Sequence, residues 1–181
     1  MVEQQIRARG IANPRLLAAM REIPRHFFVP EPYTSSAYTD APLPIGNGQA
    51  ISQPYIVALM TDLLRTRSND RVLEIGAGSG YQAAIRARLV KQVTTIERIP
   101  AVAKLAQDNI APLRLGNISI IVGDGTEGYR ENAPYNGILF TAASPKIPPP
   151  LVEQLDEGGT LVAPVGDREI QELISLKKQG G

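Results

Sequence analysis

The second half of the chain alternates short apolar runs with stretches of helical periodicity. The apolar runs are rich in β-branched residues and predict strands at residues 71–75, 92–97, 118–122, 137–141, 160–165 and 172–176. Between them, apolar residues at helical spacing predict helices over 82–89, 100–113 and 148–155. This alternation indicates an α/β fold of Rossmann-like type, with a doubly wound, mostly parallel sheet flanked by helices. Ligands of such folds bind at the carboxyl ends of the strands.

The first half lacks this alternation and predicts an N-terminal helical and irregular extension over residues 1–52. Residues 1–23 show helical spacing in two pieces, and the second begins at Asn13-Pro14, an N-cap followed by proline. Residues 24–51 are rich in proline and glycine and predict an extended, turn-forming connection. We therefore predict a single domain, in which residues 53–181 form the α/β core.

Ser52 begins the next predicted helix, whose apolar residues recur at helical spacing as far as Leu64. A serine at this position is an ordinary N-cap, whose hydroxyl accepts a hydrogen bond from a backbone N–H. The same helix N-terminus also suits a ligand carboxylate, because its first N–H groups are unpaired and its dipole is positive there. The two interpretations are compatible, so we expect Ser52 to cap the helix and to face a ligand.

Composition adds mainly exclusions. The 181 residues are 43% hydrophobic and have a formal net charge of +1, which does not favour binding to nucleic acid or to a membrane surface. There is no cysteine, so disulfides and thiolate metal sites are excluded, and no metal site is predicted. Because we find neither a signal peptide nor a membrane-spanning apolar run, we expect a cytoplasmic protein. We also expect a monomer. The only histidine, His26, lies beside two phenylalanines and is expected to be packed rather than catalytic.

The glycine-rich stretch from Arg71 to Tyr81 joins a predicted strand to a predicted helix. Such a turn lets the backbone approach a nucleotide-like ligand. Gly76 and Gly78 fit the first two positions of the dinucleotide fingerprint G-x-G-x-x-G, but Tyr81 occupies the third, and Gly80 comes one residue early. Since no lysine followed by serine or threonine is present, the stretch is not a Walker A phosphate loop either.

Three acidic residues lie in or shortly after the first three predicted core strands. Glu97 ends the second core strand, where a carboxylate can accept hydrogen bonds from ribose hydroxyls, and the alternative is a solvated strand-end acid. Glu74 lies inside the first core strand, where burial would require a partner such as an amino-acid ammonium. Asp124 follows the third core strand and either accepts from an adenine amino group or serves as an Asp-Gly turn residue.

The spacing E-x-G-x-G-x-G resembles motif I of the class I S-adenosylmethionine-dependent methyltransferases. Nearly all of the chain closely resembles one family among them, protein-L-isoaspartate O-methyltransferase. The most specific match is Pro42–Gly46 together with Gln49–Pro54, which generic methyltransferases lack. The other matching segments are Met1–Ile6, Pro24–Pro30, Val72–Gln82, Ile96–Arg98, Gly123–Gly125 and Pro164–Gly166.

The resemblance implies methyl transfer from S-adenosylmethionine, leaving S-adenosylhomocysteine, to the misplaced α-carboxylate of an L-isoaspartyl residue in aged proteins and peptides. It also implies that the methyl ester cyclises to a succinimide, whose hydrolysis restores some normal aspartate. Ser52 falls on the active-site hydroxyl of the family. The implied cofactor contacts are Glu74, Gly76, Gly78, Gly80, Glu97, Arg98, Asp124, Gly125 and Gln171. The implied substrate contacts are Pro44, Ile45, Ile51, Ser52, Val165 and Gly166.

The sequence departs from the family pattern in three places. Ala50 replaces a common threonine, and Tyr135-Asn136-Gly137 stands where Tyr-Asp-Arg is common. The sequence ends at Gly181, where members usually continue, so we expect a C-terminal strand to be missing. Two alternatives stay open. One is a class I methyltransferase that acts on another substrate, such as RNA or a small metabolite, and the other is a non-catalytic relative that binds S-adenosylmethionine.

Overall fold

The computed structural model describes residues 1–142, 144–166 and 170–180. The strands of this described part are β1 Leu43–Gly46, β2 Gln49–Ile51, β3 Arg71–Ile75, β4 Gln92–Glu97, β5 Ile118–Val122, β6 Tyr135–Phe140, β7 Leu155–Gly166 and β8 Gln171–Lys177. Strands β3 to β8 form one sheet in the order β5-β4-β3-β6-β7-β8. Within this six-stranded sheet, as far as it is described, only the β7–β8 pair is antiparallel, which confirms the predicted mostly parallel sheet.

The strand order reverses beside β3. From β3 the chain builds outward through β4 to β5, and it then returns to the other side of β3 to build through β6, β7 and β8. At such a switch point the connections leave the sheet in opposite directions, which opens a crevice at the carboxyl ends of the two central strands. The sheet therefore places its ligand crevice beside the ends of β3 and β6.

The α-helices of the described chain are α1 Pro14–Glu22, α2 Pro54–Leu63, α3 Tyr81–Ala87, α4 Pro100–Ile110 and α5 Pro149–Gln154. The predicted cap of α1 is confirmed, because the Asn13 side chain accepts hydrogen bonds from the N–H groups of Arg15 and Leu16. Four of these helices begin with proline, whose missing N–H costs no hydrogen bond in a first turn. The exception, α3, begins directly after Gly80, which adopts a left-handed conformation.

Alternate strand positions build one apolar core on each face of the sheet. In β3, Val72 belongs to the core that also includes buried residues of α1, α2 and α3, whereas Leu73 belongs to the core covered by Leu151 of α5. All three side chains are fully buried. Because the first core also takes residues from the N-terminal extension, such as Ile6 and Phe28, the extension packs against the α/β core.

The extension contains a hairpin that the sequence prediction did not include. Strands β1 and β2 pair antiparallel through Asn47 and Gly48, which have φ values of 52° and 68°. Asn-Gly with both residues at positive φ is a strong hairpin signal, so this element was predictable from local sequence. His26 makes contacts of the kind expected for a packed side chain, because its Nδ1 lies 2.6 Å from the Tyr38 hydroxyl and its ring packs edge-on against Phe27.

The strand predicted at residues 160–165 begins earlier in the structure, at Leu155, and includes Gly158 and Gly159. Strand β7 runs through both glycines, and its pairing with β6 shifts register beside them. Glycine within a strand often marks such an irregularity, because it tolerates the altered backbone. In the described part of the chain we find no helix with the length and apolarity needed to span a bilayer.

Candidate active site

A cavity of about 380 Å³ lies at the crevice beside the ends of β3 and β6. Its lining comes from the turns that follow the strands, from the start of α3 and from the chain just before α2. The lining residues are 49–52, 75–79, 96–99, 124–126 and 140–142, with Val57, Tyr81, Gln82 and Ser144. One wall therefore belongs to the N-terminal extension and the other wall to the α/β core.

The turn after β3 brings backbone to the cavity wall because glycines replace side chains there. Gly76 has a φ of +94°, and a Cβ at this position would lie 2.4 Å from the Thr141 Oγ1. The Thr141 hydroxyl in turn lies 2.7 Å from the Gly76 carbonyl oxygen, so the end of β6 closes this turn. Gly78, at a φ of +53°, donates its N–H to Glu97. Both glycines line the cavity, as predicted.

Gly80 has a packing role instead of the predicted cofactor contact, since it does not line the cavity. Its φ is +87°, and a Cβ there would lie 2.8 Å from Ile110 Cδ1 and 3.2 Å from the Ala106 carbonyl oxygen. Glycine therefore lets the start of α3 approach α4 closely. The one-residue shift that distinguishes this stretch from a dinucleotide fingerprint thus changes helix packing and leaves a tyrosine on the cavity wall.

Glu97 joins the glycine turn to the end of β4 and still faces the cavity. Its Oε2 accepts the N–H of Gly78 at 3.1 Å, and its Oε1 accepts the N–H of Ile99 at 3.0 Å. A carboxylate has about four lone-pair sites, so each oxygen retains capacity for a ligand hydroxyl. The side chain is held in place by two backbone groups and is 7% exposed, which makes it a preorganised acceptor.

Asp124 and Gly125 form the rim of the cavity after β5. Asp124 Oδ1 accepts hydrogen bonds from the N–H and the hydroxyl of Thr126, at 2.9 and 2.8 Å. These bonds lower the pKa of Asp124, and the nearby charge of Arg98 adds a smaller effect in the same direction. A Cβ on Gly125 would lie 2.3 Å from Ile75 Cγ2, so a side chain at this position would force the rim to move.

The charges of the cavity lining favour a nucleoside that is itself cationic. Within the described lining, Glu97 and Asp124 are acidic and Arg98 is basic. A dinucleotide or nucleoside triphosphate would bring several negative charges against the two carboxylates. S-adenosylmethionine has ribose hydroxyls, an adenine amino group and a positive sulfonium, and it has no phosphate. The residues present therefore fit this cofactor.

Ser52 lies at the cavity, but the prediction that it caps α2 is wrong. The N-cap of α2 is Gln53. The capping carboxylate comes from Asp40, whose Oδ1 accepts the N–H of Tyr55 at 3.4 Å and whose Oδ2 accepts from Gln53 Nε2 at 2.8 Å. Ser52 is half-buried and lines the cavity, and its hydroxyl forms no hydrogen bond with any part of the chain that is described. This hydroxyl is therefore available to a ligand.

Glu74 points away from the cavity, which corrects the prediction that it contacts the cofactor. Residues of a strand alternate between faces, so Glu74 lies on the face of Val72, towards α3. It is fully buried, accepts a hydrogen bond from Thr95 Oγ1 at 3.1 Å and lies 3.8 Å from Arg86 Nε. Burial raises the pKa of Glu74 to about 7, although the charge of Arg86 opposes this shift. The expected ammonium partner is thus a guanidinium within the core.

The predicted substrate contacts in the extension differ in their relation to the cavity. Ile51 lines it together with Ser52. Pro44 lines a shallow depression on the hairpin, which shares Gln49 and Ala50 with the cavity. Ile45 is buried beneath the glycine turn, where a Cβ added to Gly78 would lie 4.0 Å from its Cδ1. The hairpin therefore extends one wall of the cavity outward.

Val165 and Gly166 support the opposite edge of the cavity without lining it directly. Ser144, which lines the cavity, donates its N–H to the Pro164 carbonyl at 3.2 Å and accepts the N–H of Gly166 at 3.1 Å. Gln171 lies opposite Gly166 in β8, where it is exposed and does not line the cavity. The cavity lining therefore does not support the predicted contact of Gln171 with the cofactor, which stays a prediction.

Sequence reasoning did not identify two residues that shape the cavity, Thr141 and Tyr81. Thr141 follows β6, and the rule that ligands gather at the carboxyl ends of strands would have found it. Tyr81 was noted as a misfit to the dinucleotide fingerprint, yet it lines the cavity. Both were available from the same pattern that selected Glu97 and Asp124.

Comparison with known proteins agrees with the site. The family described as protein-L-isoaspartate(D-aspartate) O-methyltransferase matches residues 1–181. The chain belongs to this family. A protein-L-isoaspartate O-methyltransferase of Methanospirillum hungatei is 62% identical over 178 residues, which cover 98% of this chain and 82% of that relative. The corresponding protein of Syntrophus aciditrophicus is 54% identical with the same coverage.

Solved structures of the family share this fold. A protein-L-isoaspartate O-methyltransferase superposes with a TM-score of 0.90 at 30% identity, over 99% of this chain and 60% of the other. A Plasmodium falciparum structure in complex with S-adenosyl-L-homocysteine superposes with a TM-score of 0.84 at 24% identity, over 99% and 88% of the two chains. At that identity the second likeness supports the class I methyltransferase fold alone.

Proposed function

We propose that this protein-L-isoaspartate O-methyltransferase family member transfers the methyl group of S-adenosylmethionine to the α-carboxylate of L-isoaspartyl residues in proteins and peptides. The observation that carries the proposal is the composition of the two cavity walls. The unpaired hydroxyl of Ser52 lies on one wall, and the glycine turn with Glu97 lies on the other. A group that can receive a carboxylate thus faces the same space as groups that can receive a nucleoside.

The cofactor wall is assigned residue by residue. Glu97 accepts hydrogen bonds from the ribose hydroxyls, and Asp124 accepts one from the adenine amino group. Gly76, Gly78 and Gly125 line this wall, where the lack of a side chain lets the backbone approach a ligand. A Cβ on Gly76 or Gly125 would also lie within 2.5 Å of Thr141 or Ile75, so a side chain at either position would distort the wall. S-adenosylmethionine, when bound, supplies a methyl group on a positively charged sulfur that departs as a neutral thioether.

The substrate wall orients a nucleophile that is already active. A carboxylate has a reference pKa of about 4, so it is ionised at neutral pH and requires no general base. Ser52 donates a neutral hydrogen bond, which holds the carboxylate without stabilising its charge as strongly as an arginine would. Catalysis then depends on alignment and on the exclusion of water from the cavity.

The hairpin of β1 and β2 is the proposed docking place for the peptide backbone. It borders the shallow depression lined by Pro44, and Gln49 and Ala50 connect this depression to the cavity. A two-stranded hairpin has open edges that can pair with an extended chain through backbone hydrogen bonds. Such pairing would accept peptides of many sequences, as a repair enzyme requires.

The product and the setting complete the proposal. The methyl ester is a better leaving group than the free acid, so the neighbouring backbone nitrogen displaces methanol to give a succinimide, whose hydrolysis yields some normal aspartate. The protein is proposed to act as a monomer, since described residues of one chain supply both cavity walls. It is proposed to act in the cytoplasm because S-adenosylmethionine is an intracellular metabolite.

A labelling experiment tests the proposal. Incubation with methyl-labelled S-adenosylmethionine and an isoaspartyl peptide should yield a base-labile methyl ester on the peptide. The matched control is the same peptide with its isoaspartyl α-carboxylate converted to an amide, which should remain unlabelled. Equal labelling of both peptides would contradict the proposed acceptor. Calorimetric binding of the cofactor with no labelling of either peptide would instead identify a non-catalytic relative.

A further inference from the structure

Arg25 is a fully buried arginine at the boundary between the extension and the core. None of the carboxylates in the described ranges forms an ion pair with it, and its Nη1 is buried without a hydrogen-bond partner. Burial lowers its pKa, yet a guanidinium remains charged in proteins. Burying a charge without a counter-ion is costly, so the contacts that Arg25 does make require an explanation.

Two backbone carbonyls from separate parts of the extension accept its hydrogen bonds. Nε donates to the Ala37 carbonyl and Nη2 donates to the Ser52 carbonyl, each at 2.8 Å. A guanidinium is planar and holds its N–H groups in a fixed fork, so two such bonds set the relative positions of the segments they join. Arg25 therefore holds the backbone of Ser52 in place without itself lining the cavity.

The same guanidinium also contacts the opposite wall. Its Cζ lies 5.0 Å from the centroid of the Tyr81 ring, and Phe28 packs edge-on against that ring at 5.3 Å. Tyr81 follows Gly80 directly, begins α3 and lines the cavity. The buried side chain of Arg25 thus contacts Ser52 on one wall of the cavity and Tyr81 on the other.

We propose that Arg25 is a positioning residue for methyl transfer, which sets the spacing between the carboxylate-receiving wall and the cofactor-receiving wall. The inference rests on the proposed function. Reactions catalysed by alignment need the reacting atoms about 3–3.5 Å apart, and a shift of about 1 Å can cost about 100-fold in rate. Arg25 lies outside the cavity lining, so it acts on the rate only through Ser52 and Tyr81.

A second buried arginine, Arg86, is a matched control for effects of Arg25 that come only from lost stability. Arg86 is also fully buried, but it does not line the cavity and its partner Glu74 points into the core. Arg25→Met and Arg86→Met both remove a buried charge and both should lower stability. Arg25→Lys is a milder variant, which keeps the charge but cannot hold both carbonyls with one rigid fork.

The test measures kcat and KM for an isoaspartyl peptide, the Kd of S-adenosylhomocysteine by calorimetry, and hydrogen–deuterium exchange over residues 49–55, all at a temperature where each variant is folded. The kcat of Arg25→Met should be lower than the kcat of Arg86→Met by about tenfold or more. The Kd of S-adenosylhomocysteine should change by less than about threefold in Arg25→Met. Exchange over 49–55 should accelerate in Arg25→Met and not in Arg86→Met. Arg25→Lys should show the same changes in smaller degree, and it replaces the methionine variant if that variant does not fold.

Equal losses of kcat in the two methionine variants, or unchanged exchange over 49–55, would overturn the inference. Full activity in Arg25→Lys would also overturn it, because the fixed fork would then be unnecessary. If the unsubstituted protein methylates no isoaspartyl peptide, the proposed function fails. The exchange data would then still decide whether Arg25 places Ser52.

Discussion

At the scale of single residues, the proposed chemistry depends most on the Ser52 hydroxyl. A hydrogen bond to a charged group contributes about 1.5–3 kcal/mol, so Ser52→Ala should lower kcat by about 10- to 100-fold. The Kd of S-adenosylmethionine should not change, because the cofactor groups lie on the other wall. Initial-rate kinetics and calorimetry measure the two effects, and Ser52→Thr is the control that keeps a hydroxyl. An unchanged kcat in Ser52→Ala would show that the hydroxyl does not orient the substrate.

Glu74 offers a test of stability that is independent of catalysis. Burial raises its pKa from 4.5 to about 7, so between these values the folded protein holds a proton that the unfolded chain has released. The stabilising contribution of this group is therefore complete below the unfolded pKa and is lost as pH rises through the folded one. Glu74→Gln removes the titration. Its free energy of unfolding, relative to the unsubstituted protein, should rise between about pH 5 and about pH 8.

Denaturant unfolding at the two pH values checks this expectation. Arg86 stays protonated throughout the window, since its pKa is lowered only to about 10. The change with pH therefore reports Glu74 and not its partner. If the free energies of unfolding of Glu74→Gln and of the unsubstituted protein differ by the same amount at both pH values, Glu74 ionises normally in the fold.

At the scale of elements, two glycines of the turn after β3 have different roles. Gly80 allows α3 to pack against α4, whereas Gly76 lines the cavity. Gly80→Ala places a side chain at a left-handed position against α4, which should cost about 1–3 kcal/mol of stability. Its effect on the Kd of S-adenosylmethionine should be small, because Gly80 does not line the cavity. Gly76→Ala is the comparison, since it should lower both stability and affinity. Loss of affinity in Gly80→Ala at a temperature where it is folded would restore the predicted cofactor contact.

The elements also show why some predictions succeeded. Strands β3, β4 and β5 have the predicted bounds, because each is rich in apolar or β-branched residues, which favour strands. The cap of α2 was mispredicted because its carboxylate, Asp40, comes from a segment that is remote in sequence from the helix it caps. The direction of the Glu74 side chain was predictable, since strand alternation places it towards α3. Its partner Arg86 was not predictable, because that contact depends on tertiary packing.

At the scale of the whole molecule, the cavity exists only where the extension meets the α/β core. Leu16 of the extension and Val72 of the core belong to the same buried cluster. We therefore propose that residues 1–52 and 53–181 form one domain, as the sequence predicts. The sequence identified both walls through short motifs, but it did not identify the buried arginine that connects them, because that connection joins residues distant in sequence.

The most direct test of the proposed function compares two peptides of identical sequence, one with an isoaspartyl residue and one with a normal aspartyl residue at the same position. We predict that kcat/KM for methyl transfer is about 100-fold higher or more for the isoaspartyl peptide, because only its α-carboxylate reaches the aligned position beside Ser52. Equal kcat/KM values for the two peptides, or transfer to neither, would contradict isoaspartyl-specific methylation by this protein.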